Sequence, residues 1–389
     1  MAGFFLCFPP TERNGCIKMN LLKKIATGLL AAAMLVSVAA CHPKDETAMT
    51  IGDIKITSGL YVCALLMADS EGRDRVTEEN EEANGSDSTS SSTSSNIDFY
   101  KQKIDDTDFS AWVRNRAEEI CKEYALYDTK FAENGLSLDE ETLNQVDTYA
   151  EYYWNQYGLS QVYEPNGASF QTYKKFFTYQ YMTQTYFLSI YGEEGTNPVP
   201  AEDIKTSLNE NFVAAQTLTG SYTTDSTTGS STALTDEEKT ALKEKFEGYL
   251  QRLQAGESFE TIYKEQNPDD TTNSSETEDG PKDPYITILG SENTTNASDN
   301  FEEVKGMAVD EVKLLEDDSK GLTLVVRKDI NDDEYYYNYL KEAVLYILKQ
   351  DEFEKNVKEA ADALPIEKNN FAINQFKPKN IKYPQNTAA

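Results

Sequence analysis

The sequence predicts an α+β protein: a mainly helical domain assembled from N- and C-terminal segments, with a smaller α+β module inserted between them. Three observations carry this. Apolar residues recur at three-to-four spacing in long runs before residue 200 and again after 330. Short strand and helix signals alternate in between. The last helical run is too long to be buried within one small module. With 389 residues the chain is long enough for about two domains. Its 36 Lys+Arg against 67 Asp+Glu give a net charge of -31, which argues against a nucleic-acid partner, since phosphate neutralisation needs clustered cations. One His and five Cys without CxxC spacing leave no ligand set for zinc or haem, so no cofactor, no metal and no His-based chemistry are expected.

The N-terminus reads as an address. Met19 opens MNLLKKIATGLLAAAMLVSVAAC, in which Lys23 and Lys24 precede an uncharged run from Ile25 to Ala40 that is short for a spanning helix. The run ends in Val38-Ala39-Ala40-Cys41, which resembles the lipobox of bacterial lipoproteins. That resemblance implies a signal peptide over 1–40, cleavage before Cys41, and a lipid on the Cys41 thiol. The protein would then sit on the extracytoplasmic face of the cell membrane, palmitate or a related acyl chain holding it there. An ordinary signal peptide or an uncleaved anchor is the plainer alternative. Residues 1–18 precede a better signal start, so initiation is read at Met19 and Cys7 and Cys16 carry no function. Anionic lipid would repel so acidic a body, and one acyl chain binds only marginally, so a dually acylated Cys41 is the anchor that works.

The first domain segment covers 41–200. Thr50–Thr57 (TIGDIKIT) alternates around Gly52-Asp53 as a strand hairpin, and a helix starts at Ser58. Residues 69–96, acidic and then Ser/Thr-rich, read as a solvated, disordered loop. Trp112 to Phe131 form a helix closed by Gly135, and Ser137-Leu138-Asp139-Glu140 reads as a capping box for a helix to Gly158. Ser169 caps a third helix ended by Gly192, and Pro198 and Pro200 mark a boundary.

The inserted module covers 201–330. Val213–Tyr222 reads as a strand, Thr235-Asp236-Glu237-Glu238 as a capping box, and Ser258 as the start of a short helix stopped by Pro268. The acidic loop 267–283 lacks the spacing of a calcium loop and reads as a solvated turn. Tyr285–Leu289 is a strand, Phe301–Gly306 a helical piece, and Gly321–Lys328 the last strand. Residues 331–389 return to the helical domain. Asp333–Leu364 is one helix of about 48 Å at about 1.5 Å per residue, and Phe371–Phe376 is a terminal strand.

This order resembles the extracytoplasmic foldases of the PrsA/SurA type, in which a helical chaperone domain is interrupted by a parvulin-like peptidyl-prolyl isomerase module. The local matches are Ala255-Gly256-Glu257-Ser258-Phe259-Glu260, Phe301-Glu302-Glu303-Val304, Val309-Asp310-Glu311-Val312 and Gly321-Leu322-Thr323-Leu324-Val325. The resemblance implies a membrane-anchored chaperone whose partners are unfolded or newly exported polypeptides. The sequence departs from the family at the chemistry. Active parvulins carry His in the first and last strands; here Gln216 and Thr323 stand at those positions, and the sole His after the signal segment is His42. No catalytic residue is assigned, and the module is read as a degenerate isomerase.

Two tyrosine-rich stretches have two readings. Tyr149, Tyr152, Tyr153, Trp154 and Tyr157, and Tyr335, Tyr336, Tyr337 and Tyr339, either fill helix seams or line a surface for unfolded chains. Tyr152, Tyr153, Trp154 and Tyr157 are the client-binding candidates. Cys63 and Cys121 form a disulfide or remain buried thiols. An active isomerase, and a solute-binding or adhesive surface lipoprotein, are the alternative functions. Solute-binding lipoproteins alternate βαβ throughout, a pattern absent here.

Overall fold

A hairpin opens the ordered chain in the computed structural model, which describes residues 46–84, 97–225, 231–270 and 280–384. The signal segment, Cys41, His42, residues 85–96 and residues 271–279 of the acidic loop lie outside the described residues. Strands β1 (Thr47–Ile51) and β2 (Ile54–Thr57) pair antiparallel around Gly52, whose φ of 58° is the left-handed conformation that the turn requires.

Helix α1 (Ser58–Asn84) follows at once. It runs well past the expected start of the loop at residue 69, which corrects that boundary. Composition concealed the helix because its polar residues are paired. Asp69 holds Arg73 four residues on, Glu71 receives Arg116, and Arg75 reaches Asp105, while Gly72 and Val76 are buried. A Cβ on Gly72 would meet the Phe109 and Trp112 rings at 3.0–3.1 Å, so the missing side chain lets the next helix approach. The short ladder β3 (Lys103–Ile104) and β4 (Thr107–Asp108) leads into α2 (Phe109–Asn134), closed as expected by Gly135 in the left-handed region. The α2 residues Val113, Ala117, Ile120, Cys121 and Tyr124 form its buried stripe.

Helix α3 (Glu140–Gln156) is capped by Asp139, whose carboxylate accepts from the Thr142 amide, two residues beyond the Ser137 expected from sequence. That bond also holds the Asp139 carboxyl below its ordinary value. A short helix that the sequence reading missed, α4 (Ser160–Asn166), precedes α5 (Phe170–Tyr191), which is capped by Ser169 and ended by Gly192 as predicted.

The chain divides into two compact units. The first joins 46–198 to 351–384, and the second is 199–350. The second starts with α6 (Ala201–Asn211) and β5 (Phe212–Ser221), then the small ladder β6 (Thr223–Asp225) and β7 (Ser231–Ala233). Helices α7 (Asp236–Gln254) and α8 (Phe259–Gln266) follow, and the predicted Thr235–Glu238 capping box has both arms formed. Then come β8 (Ile286–Gly290), α9 (Phe301–Lys305), β9 (Val312–Asp317) and β10 (Gly321–Lys328). The sheet order is β8-β5-β10-β9, all antiparallel. Strand β9 was not anticipated. One face packs Leu218, Leu322, Leu324 and Val326 against Phe246 and Tyr249 of α7 and Phe259 and Ile262 of α8. The other packs Val213, Ala215 and Val325 against Phe301 and Val304 of α9.

Helix α10 (Glu334–Asp362) begins in the second unit and ends in the first. Its last turns pack on α5: the Phe353 ring lies 5.2 Å from Phe187 in an edge-on contact, and the Tyr191 hydroxyl donates to Glu352 at 3.1 Å. Lys122 of α2 bridges to Asp362. Strand β11 (Ile366–Lys368) then adds to the free edge of β1, with Met49 opposite Lys368. The expected strand at 371–376 is instead the short helix α11 (Asn370–Ile373), because Asn369 caps it by accepting from the Ala372 amide. Gly52 donates to the Pro365 carbonyl, so pairing with β1 sets the strand register several residues earlier. The protein is α+β, as the sequence predicted.

Candidate functional site

In the helical unit, α3 packs along α5 through an aromatic cluster. Val146, Ala150 and Trp154, four residues apart, are its buried stripe, opposite Tyr173, Phe177 and Tyr181. Trp154 is only 7% exposed, with Tyr173, Phe170 and Tyr163 within 5.3–6.1 Å of its ring. It belongs to the core and offers no surface to a ligand. Tyr153 is half-buried and bridges inward to Phe177 at 5.9 Å. Tyr152 and Tyr157 are 44% and 62% exposed, and with Tyr153 they form a triangle of rings 5.2–5.8 Å apart. Of the four candidates, three therefore make one surface patch, and the fourth belongs to the core cluster on which Tyr153 packs. Leu143 on the same helix is also exposed.

Such an arrangement presents contact area rather than paired reacting groups. Tyrosine rings offer large amphipathic faces with few rotors to freeze, and each ring–ring contact is worth about 0.5–1.5 kcal/mol beyond burial. The neighbouring rings hold Tyr152 and Tyr157 in place, so little order is lost when an apolar or aromatic side chain lies against them.

In the sheet unit, the positions that would carry reacting groups tell a different story. Gln216 of β5 stands opposite Val326 of β10, whereas Thr323 stands opposite Thr219. Because side chains alternate along a strand, Gln216 and Thr323 project from opposite faces of the sheet. The Gln216 amide, 8% exposed, donates to the Asp283 carboxylate at 2.6 Å, and the other Asp283 oxygen accepts from the Tyr285 amide. Tyr285 sits against Phe259 and Tyr263. The Tyr336 side chain is buried, its hydroxyl has no hydrogen-bond partner among the described residues, and its pKa is pushed up by burial and by Asp333 and Asp283. A glutamine amide bonded to a carboxylate holds that carboxylate still but cannot shuttle a proton. The Gln216–Asp283 pair spans 67 positions across a polar loop, and no local pattern announces it.

Cys63 and Cys121 are both buried free thiols. Burial raises their pKa, so both stay protonated and inert. Among the described residues no cluster of His, Cys, Asp and Glu has the makings of a metal site, and no helix is long and apolar enough to cross a membrane.

No family model and no curated protein sequence matches the chain. Solved structures do resemble it. The foldase protein PrsA of Streptococcus pneumoniae is 14% identical, with a TM-score of 0.35 over 67% of this chain and 92% of that one. The PrsA foldase of Lactococcus lactis is 12% identical, with a TM-score of 0.37 over 85% of this chain and 99% of that one. A SurA-like chaperone of Campylobacter jejuni is 11% identical, with a TM-score of 0.26 over 83% of this chain and 98% of that one.

Proposed function

We propose that this protein is an extracytoplasmic chaperone that holds unfolded, newly exported polypeptides, tethered to the membrane through lipid on Cys41, and that its inserted module is a parvulin-like domain without isomerase activity. Residues 41–200 and 331–389 would form the chaperone domain and 201–330 the insert. The observation that carries the reading is the surface triangle of Tyr152, Tyr153 and Tyr157, seated through half-buried Tyr153 on Phe177. Rings presented together at a surface suit clients that share no sequence, only exposed apolar side chains. The lipid tether rests on the Val38-Ala39-Ala40-Cys41 motif.

The inactive insert is supported by the placement of Gln216 and Thr323 on opposite faces. Isomerisation of an X-Pro bond crosses a barrier of about 18–20 kcal/mol, and lowering it needs polar groups converging on one twisting amide. The residue opposite Gln216 is Val326, which offers none.

Two assays on the full-length mature chain test this. It should suppress light scattering by a diluted, denatured secretory protein, and leave the isomerisation rate of a proline tetrapeptide at its spontaneous value. Loss of the first effect overturns the chaperone reading. An accelerated proline reaction overturns the inactive insert in favour of an enzyme.

A further inference from the structure

The last described residues of the helical unit are held in an unusual manner. Beyond α11 the chain passes through a single turn at Pro378–Asn380 and continues extended to residue 384. Its grip on the body is mostly through main chain. The Tyr100 hydroxyl donates to the Pro378 carbonyl at 2.8 Å. The Asn166 side-chain amide donates to the Lys382 carbonyl at 2.8 Å, while its oxygen accepts the Lys382 amide at 2.9 Å. That reciprocal pair is what one strand offers another. Among its side chains Pro378 is buried, the Lys382 ammonium donates to the Pro165 carbonyl at 3.4 Å, and Tyr383 enters a polar socket. The Tyr383 hydroxyl donates at 2.7 Å to Asp69, a carboxylate with no solvent exposure.

The other members of the socket come from α1 and residues 97–101. Arg73 pairs with Asp69 at 2.5 Å, and its guanidinium is 4.6 Å from the Phe99 ring centre and 5.0 Å from that of Tyr383. Burial and the Asp69 charge raise the Tyr383 pKa, so the hydroxyl remains a donor. The segment itself leaves Lys377, Lys379 and Lys382 exposed, three cations on a chain whose net charge is -31. Its hold thus combines main-chain bonds that any peptide can make, one tyrosine anchor, and charge attraction.

We propose that residues 377–383 are a built-in, displaceable occupant of a peptide groove formed by α1, residues 97–101 and α4. The groove takes in trans an extended, basic segment bearing a tyrosine where Tyr383 now sits. It is a second polypeptide site, and it stands whether or not the α3 tyrosine patch binds clients.

The probe is a fluorescein-labelled peptide of the sequence Lys-Pro-Lys-Asn-Ile-Lys-Tyr, followed by anisotropy. A chain ending at Phe376 should bind it at least ten-fold more tightly than the full-length chain. Replacing the peptide tyrosine by phenylalanine, or making Asp69→Asn in the shortened chain, should each cost most of that gain. Equal binding to both chains, binding to neither, or indifference to the hydroxyl overturns the proposal. If the shortened chain does not fold, Tyr383→Phe in the full-length chain is read by amide exchange. Faster exchange at Lys382 and Tyr383 with α1 still protected supports a displaceable occupant. Joint loss of protection in α1, or no change at all, refutes it.

Discussion

The two compact units are closed in opposite ways. The sheet unit is completed within residues 199–350, its longest pairing, β5 with β10, joining Ala214 to Lys328 inside that span. The helical unit needs both ends: Asn369 donates to Glu46, 323 positions away, and Phe353 fills a ring cluster built by α5. The sheet unit packs both sheet faces under helices and ties its buried amide to a carboxylate. Both units leave tyrosines at the surface, Tyr152 and Tyr157 in the helical unit and Tyr339 in the sheet unit, but among the described residues only the former two join a three-ring triangle. The lesson is that the ring triangle at the end of α3 belongs to the unit that closes through both chain ends, and the insert, closed within its own span, is the more self-sufficient scaffold.

The largest effect should come from that non-local seam. Phe353→Ala removes a buried ring and should cost about 3–5 kcal/mol, read as a lower denaturant midpoint with exchange rising first in α5 and β1. Less than about 1 kcal/mol would mean that the return helix is not what closes the helical unit. Leu324→Ala, at the centre of the sheet, should cost about 2–5 kcal/mol and raise exchange in β5 and β10.

Strands β5, β8 and β10 of the insert were legible because apolar residues gather there between turn signals, as in Gly321–Lys328, whereas β6, β7 and β9 are short, polar or charge-interrupted and were not. The end of the chain was not. Ile366–Lys368 has no strand signal of its own; it is a strand because β1 presents an open edge there. The loop reading of 69–84 failed for a related reason, since Asp69 finds Tyr383, Glu71 finds Arg116 and Arg75 finds Asp105 on other segments, which composition does not reveal. At the candidate site, sequence located the aromatic run on α3 but could not sort it. Helical phase against α5 puts Trp154 inside and Tyr157 outside. The Gln216–Asp283 pair had no signal at all.

Removing both exposed rings, Tyr152→Ser with Tyr157→Ser, should cut aggregation suppression several-fold while stability changes by only about 0.5 kcal/mol per site. Unchanged suppression would detach the chaperone reading from this patch. A smaller, pH-dependent effect sits on α2. Burial raises the Glu123 carboxyl above its ordinary 4.5 although Arg116 opposes this. Its ionised form therefore costs the folded state at neutral pH, and that cost fades as pH falls through the raised value towards 4.5. Glu123→Gln should flatten this part of the curve, as followed by urea midpoints between about pH 4.5 and 7. Parallel curves for the two proteins would show that Glu123 is not the group responsible. Last, Thr235→Ala removes the box at the start of α7 and should cost about 1 kcal/mol, confined to the sheet unit.

The ladder between β1 and β11 sets a timetable. A polypeptide emerging N-terminus first displays the outer edge of β1 long before residues 366–368 arrive to cover it. Throughout that interval the hairpin is open to any passing strand, which is how sheets recruit strangers. Lys55 beside the turn is the lone cation of the hairpin to discourage such mispairing.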